Sequence, residues 1–233
     1  NATARYDLGR QAVEPGREQL AGSCMDYFTV QNWVDFSNED LGVTIAMPDN
    51  PMVQLGDFHF AQHQSEFVLE RPMLLGWITN SYWETNFRAH QPGRVHARYR
   101  IQPHTDGFVE ADAHRYGRDT VYDTGLVQQM GERSERRDLP ATGSLLTLPE
   151  PPVEVLRVKR ADNDDRLILR LYNASGEEQR RTIESGLFQI DQAWLCDLFE
   201  KRLERLPMEG DHIVITLPPR RICVVALVGV VKE

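Results

Sequence analysis

The chain has 233 residues, 41% hydrophobic and 26% charged, with a formal net charge of −9, which bounds it to one large globular domain or two modest ones. The acidic balance argues against the basic face of a nucleic-acid binder, and no run approaches the roughly 18 apolar residues of a membrane helix. Three cysteines, Cys24, Cys196 and Cys223, lie far apart and odd in number, which gives neither a disulfide framework nor a zinc knuckle and predicts buried free thiols in a reducing, cytoplasmic setting.

Residues 1–20 are polar and turn-rich; Asn1-Ala2 reads as a cloning scar and the rest as a flexible arm. "CMDYFTVQNWVDFS" then alternates as a strand, with Tyr27, Thr29 and Gln31 facing opposite to Phe28, Val30 and Asn32. "LGVTIAM" follows the Asn38-Glu39-Asp40 turn, and "FHFAQ", "FVLERPMLLGWIT", "RVHARYRIQP" and "GLVQQM" are further strands. Prolines 48, 51, 72, 92 and 103 rule out long helices between them. "DGFVEADAHRYGRDT" is the one strong helix of this half, with Val109, Ala113 and Tyr116 on one face.

A proline-rich connector near "LPATGSLLTLPEPPVEV" separates a first region, 21–147, from a second, 148–233. In the second, "VEVLRVKRA", "DRLILRLYN", "RRTIE", "DHIVITLPP" and "RRICVVALVGV" are short strands at regular spacing, the pattern of a small antiparallel sandwich. "DQAWLCDLFEKRLERLP" is ambiguous: Trp194, Leu195, Leu198, Phe199, Arg202 and Leu203 repeat at helical spacing, while at period two Trp194, Cys196 and Leu198 share a face. The Asn173-Ala174-Ser175 sequon reads as a hairpin turn rather than a glycan site.

Catalytic signatures are sparse. There is no nucleophile elbow and no phosphate-cradling glycine loop. His59 and His63 lie on a strand-like run, where residues four apart are roughly 13 Å from each other and cannot share one metal. His104 and Asp106 read as a structural turn pair, and Asp162, Asp164 and Asp165 as a solvated loop with weak calcium binding as the alternative. No two carboxylates are brought together for glycoside chemistry. The segment 77–101 remains: Tyr82 and Trp83 can stack on a sugar ring, and Asn80, Glu84 and Asn86 can bind its hydroxyls. The competing reading makes them core aromatics, with amides holding the backbone.

"NSYWETNF" followed by "QPGRVHARYRI" resembles the N-x-Y-W-[DE]-T-N-F … Q-x-G … R-Y segment of glycoside hydrolase family 38, the bacterial-type α-mannosidases. "VQNWVDFSNEDLGVTIA" and "DRLILRLYNASGEEQ" are similar to strands of that family upstream and downstream, and Pro219-Arg220-Arg221-Ile222 departs from its usual Pro-Phe-Glu-Ile. The resemblance implies an all-β fold: part of a large β-sandwich (a supersandwich, galactose-mutarotase-like) over 21–147, then a small Ig-like β-sandwich over 148–233. It implies that "AWLCDLFEK" is a strand, against its helical period. It also implies a C-terminal β-region that walls the active-site cleft of a longer, retaining α-mannosidase. Zinc and the nucleophile then lie in an N-terminal catalytic barrel, with no cofactor in this chain. Asn80, Tyr82, Trp83, Glu84 and Asn86 become candidates for α-mannoside contact or for packing against the barrel. A carbohydrate-binding module and a structural domain able to form a homodimer are the alternatives.

Overall fold

The structure, a computed structural model, describes residues 1–9, 11–59, 62–79, 86, 90, 92–122 and 142–231. The chain divides into two compact units, Asn1–Gly125 and Leu126–Glu233. Both are built from antiparallel strands, with one α-helix among the described residues. The fold is therefore all-β, in sandwiches, as the pattern of short alternating runs and turns predicts.

The first unit contains β1 (Thr3–Asp7), β2 (Ala12–Val13), β3 (Phe28–Thr29), β4 (Trp33–Ser37), β5 (Leu41–Ala46), β6 (Met52–Leu55), β7 (Leu74–Gly76), β8 (Arg100–Thr105) and α1 (Glu110–Val121). One sheet runs β2-β1-β4-β5-β8 and a second β3-β6-β7. Between them lies a core of Ala4, Tyr6, Phe28, Val34, Phe36, Val53 and Leu55, among others. Each large side chain fully buried there contributes about 1.5–3 kcal/mol. The expected alternation holds from Tyr27 to Asn32, with Phe28, Val30 and Asn32 buried and Tyr27, Thr29 and Gln31 exposed.

Three expectations need correction. The arm over residues 1–20 is not flexible throughout: residues 3–7 form β1, paired with β4 from Thr3↔Ser37 to Tyr6↔Val34. Ala4 and Tyr6 are 2% and 4% exposed. A five-residue alternation was hidden by its charged neighbours Arg5 and Asp7. The described part of "FHFAQ" is irregular rather than a strand, and "FVLERPMLLGWIT" contributes only Leu74–Gly76. "GLVQQM" lies outside the described residues.

The helix forms where expected, but its buried face is Ala113, His114, Gly117 and Thr120, whereas Val109 is 51% exposed. Its N-cap, Val109, has no side-chain oxygen to cap with, so tertiary contacts, not local capping, hold it. Glu110 instead accepts a hydrogen bond from the Ala12 amide across the unit, at 2.9 Å.

The second unit contains β9 (Val153–Arg160), β10 (Leu167–Asn173), β11 (Gln179–Ile183), β12 (Phe188–Cys196), β13 (Arg202–Arg205), β14 (Met208–Glu209), β15 (His212–Leu217) and β16 (Ile222–Val231). A sheet β13-β12-β16-β10-β9 packs on a sheet β11-β15-β14 over a core that includes Leu169, Leu171, Ile183, Ile190, Ile213, Ile215, Val225 and Leu227. On the outer face of the larger sheet Ile168, Val224, Ala226 and Cys196 form a second cluster under Trp194. The Arg202 guanidinium stacks on that indole, 4.1 Å from the ring centroid, the kind of cation–aromatic contact that shields an exposed face.

The ambiguous segment is strand β12, a turn and edge strand β13. Ala193 and Leu195 join one apolar cluster while Trp194 and Cys196 join the other. A strand buried on both faces has no polar alternation, and so it imitated a helical stripe.

Candidate functional site

In the first unit β4 turns two chemically different faces to its surroundings. Val34 and Phe36 enter the apolar core; Trp33, Asp35 and Ser37 face the other way. Their cross-strand neighbours are Arg5 opposite Asp35 on β1, Thr44 opposite Asp35 on β5, and Gly42 between Ser37 and His104. The result is a polar sheet face, against which α1 is laid.

Asp35 is fully buried. A buried carboxylate costs several kcal/mol unless it is hydrogen-bonded, and here three side chains donate to it: Ser37 Oγ to Oδ1 at 2.6 Å, Thr44 Oγ1 to Oδ2 at 2.8 Å and His104 Nε2 to Oδ2 at 2.8 Å. Arg5 in turn donates to Ser37 Oγ at 3.2 Å. His104 reaches across β5 only because Gly42 has no side chain: a Cβ there would lie 2.5 Å from His104 Cε1 and 2.4 Å from Ser37 Cβ. An ionised carboxylate only accepts, so Nε2 carries the hydrogen. The turn pairing expected between His104 and Asp106 is not made; Asp106 accepts instead from Thr105 Oγ1 at 3.0 Å.

A second polar cluster ties the helix to the sheet. Asp7 accepts from Asn32 Nδ2 at 2.7 Å and from the Gly9 amide at 2.8 Å. Trp33 Nε1 donates to His114 Nδ1 at 3.3 Å, which puts the His114 proton on Nε2, 3.5 Å from Glu110 Oε1.

Two depressions open over this face. A cleft of about 140 Å³ is bounded by Gln102, His104 and Thr105 of β8, by Phe108, and by Asp112 and Arg115 of α1. A broader groove of about 620 Å³ lies beside Thr3, Arg5, Ser37 and the 38–40 turn, and shares Gly107 and Phe108 with the cleft. In the sequence His104 offers only a turn pairing with Asp106, and Asp35 and Thr44 read as solvent-facing because they alternate with apolar positions; only the register brings Asp35, Thr44 and His104 together.

Of the candidates expected to contact sugar, Asn80, Tyr82, Trp83 and Glu84 lie outside the described residues, and Asn86 is exposed. At the flanks of that segment the described residues pack. Trp77 lies against Tyr27 with ring centroids 5.4 Å apart. The buried Asn50 amide, with its oxygen toward the Tyr99 hydroxyl at 2.9 Å, donates to the Trp77 carbonyl at 2.8 Å.

The other candidates resolve into structural roles. His63 pairs with Asp26 at 3.3 Å; the Gln64 amide, then His63, hold the Asp26 carboxyl below its ordinary range. Asp162, Asp164 and Asp165 are paired with Lys159, Arg166 and Arg160, so the cations that neutralise this loop are the protein's own. Among the described residues no three His, Cys, Asp or Glu side chains are placed to hold a metal ion. Asn173 of the sequon is completely buried. Its Nδ2 is shared among the carbonyls of Glu177, Leu217 and Pro218 at 2.7, 3.1 and 3.1 Å, and its Oδ1 accepts from Ser175. Cys196 and Cys223 are buried, and burial pushes both thiols up; Cys24 is exposed, contrary to expectation. No helix among the described residues is long and apolar enough to cross a membrane.

Residues 152–223 match the glycosyl hydrolases family 38 C-terminal beta sandwich domain. Two solved structures share the fold over 96% of this chain, each at 14% identity: an alpha-mannosidase from Enterococcus faecalis V583, with a TM-score of 0.58, and a protein in the glycosyl hydrolase family 38 from Enterococcus faecalis, with a TM-score of 0.62. The chain spans 24% of the length of each. No curated protein sequence matches it.

Proposed function

Because the chain carries the glycosyl hydrolase family 38 C-terminal β-sandwich domain over residues 152–223, we propose that it is the β-region of a glycoside hydrolase acting on terminal α-mannosides. In this reading it supports an N-terminal catalytic barrel and forms the outer wall of its cleft. The observation that supports the reading is the extent of the fold likeness: nearly the whole chain aligns with about a quarter of an alpha-mannosidase from Enterococcus faecalis V583, as expected for a part of a larger enzyme.

The chain's own contribution is rigidity and a polar surface. Two apolar cores fix the sheets, and Asp35, buried with three donors, fixes the polar face of β4, β5 and β8. The family resemblance puts zinc in the catalytic barrel rather than in this chain. Asn80, Tyr82, Trp83, Glu84 and Asn86 are proposed as the segment nearest the sugar or the barrel, on the strength of the "NSYWETNF" resemblance. Three free cysteines support a reducing, cytoplasmic setting.

The test is an assay of the 233-residue chain on an aryl α-mannoside with zinc added. No turnover above buffer is expected; hydrolysis would mean that the chain holds a complete active site and would overturn the assignment.

A further inference from the structure

From the cleft between β8 and the first turn of α1, we infer that this β-region binds one neutral sugar ring there. Three properties of the cleft carry this. The first is preorganisation. His104 is locked by its 2.8 Å bond to the buried Asp35, and its remaining ring nitrogen, Nδ1, has no partner among the described residues. A binding group already held in place loses little freedom when a ligand arrives.

The second is chemistry. The Gln102 side-chain amide has no hydrogen-bond partner among the described residues and stands on an exposed position of β8. At the rim Asp112 and Arg115 form a pair at 3.1 Å, an acceptor beside a donor, which suits the two hydroxyls of a vicinal diol. Phe108 lies on the wall shared with the groove, its ring packed against Trp33 with centroids 5.7 Å apart and under the Arg5 guanidinium at 4.7 Å. The opposite charges of Asp112 and Arg115 cancel, so the cleft selects neither an anion such as phosphate nor a cation.

The third is size. About 140 Å³ is well under the ~300–1,000 Å³ of pockets for drug-sized ligands, which leaves room for a single ring and not for an oligomer. The adjoining groove of about 620 Å³ lets the rest of a glycan run outward past Phe108 and Arg5. Nothing in the cleft depends on the α-mannosidase reading; only the expectation that the ring is mannose rests on it.

The experiment is a ¹H–¹⁵N NMR titration of the 233-residue chain with methyl α-D-mannopyranoside, methyl α-D-glucopyranoside and inorganic phosphate. It follows the Gln102 side-chain amide and the His104 ring, with Gln102→Ala as the variant. The expected result is saturable shifts of Gln102 and His104 by the mannoside with a millimolar Kd. Affinity should weaken about tenfold in Gln102→Ala, the loss of one or two hydrogen bonds. Equal binding of both glycosides supports the site and removes only the expectation of mannose. Four outcomes overturn it: no shift with either sugar; shifts confined to the neighbourhood of Asn86; affinity unchanged in Gln102→Ala; or phosphate displacing the sugar response. Each of these leaves the aryl α-mannoside result, and the reading it tests, untouched.

Discussion

Gly42 decides whether His104 can reach Asp35. A methyl group at Gly42 would collide with the imidazole at 2.5 Å and with Ser37 at 2.4 Å, so Gly42→Ala is expected to push the ring off a buried carboxylate. Losing that donor costs about 1–3 kcal/mol, read as a lower midpoint in urea. His104→Ala removes the same bond, so the double variant should lose less than the two single losses added together; simple additivity would show that the ring and the glycine are unrelated. Asp49 offers a test by pH. The Arg98 side chain, then its backbone amide, donate to this carboxylate at 2.8–2.9 Å, and they hold its pKa down to about 2. The folded value lies below the ordinary carboxylate value of about 3.9. The pair's contribution is therefore present above roughly pH 4 and is lost as pH falls through about 2; on an exposed pair it is small. A carboxyl-carbon NMR titration should place Asp49 near 2 in the wild type and back in the ordinary range in Arg98→Ala. Neither residue pair stands out in the chain: 42 and 104 are 62 positions apart, and nothing local says that a glycine exists to admit a histidine. Asn173, by contrast, sits in a legible turn, and its burial beneath three carbonyls gives the physical reason why the sequon is not a glycan acceptor.

At the scale of elements, α1 sets two effects against each other. Gly117 in the middle of a helix normally costs about 1 kcal/mol relative to alanine, so Gly117→Ala would stabilise a helix standing free. Here the added Cβ would lie 2.5 Å from Trp33 Cδ1 and 3.1 Å from Asn32 Cβ. Trp33 is completely buried and its indole N–H is held by His114, so the ring has nowhere to move, and overpacking of this kind costs about 1–3 kcal/mol. The steric term should win. Gly117→Ala is expected to lower the thermal midpoint, and a rise would show that the helix sits more loosely on the sheet. The helix itself was legible from its 3.6-residue period, but its buried face was not. Val109 was expected inside and is exposed, because the sheet meets the helix through Gly117 and His114 rather than through its most apolar side chains. The mirror case is β12, whose two buried faces erased the period-two signal and left a false helical one.

For the whole molecule, the described strands form two stacked-sheet units with separate apolar cores, and the family match on residues 152–223 falls within the second. The aryl α-mannoside assay belongs to this scale, since it asks whether a chain spanning 24% of the length of its structural relatives turns over a mannoside. The all-β class, the hairpin turns and the position of α1 follow from local features: alternation, prolines and glycines, all of which act over a few residues. The polar cluster around Asp35, the grip of Trp33 on His114 and the cleft beside Gln102 depend on strand register, and register is set by pairing across dozens of residues. A polar side chain that alternates with apolar ones has the same pattern whether water or a helix covers it; its burial is settled only when α1 closes over the sheet.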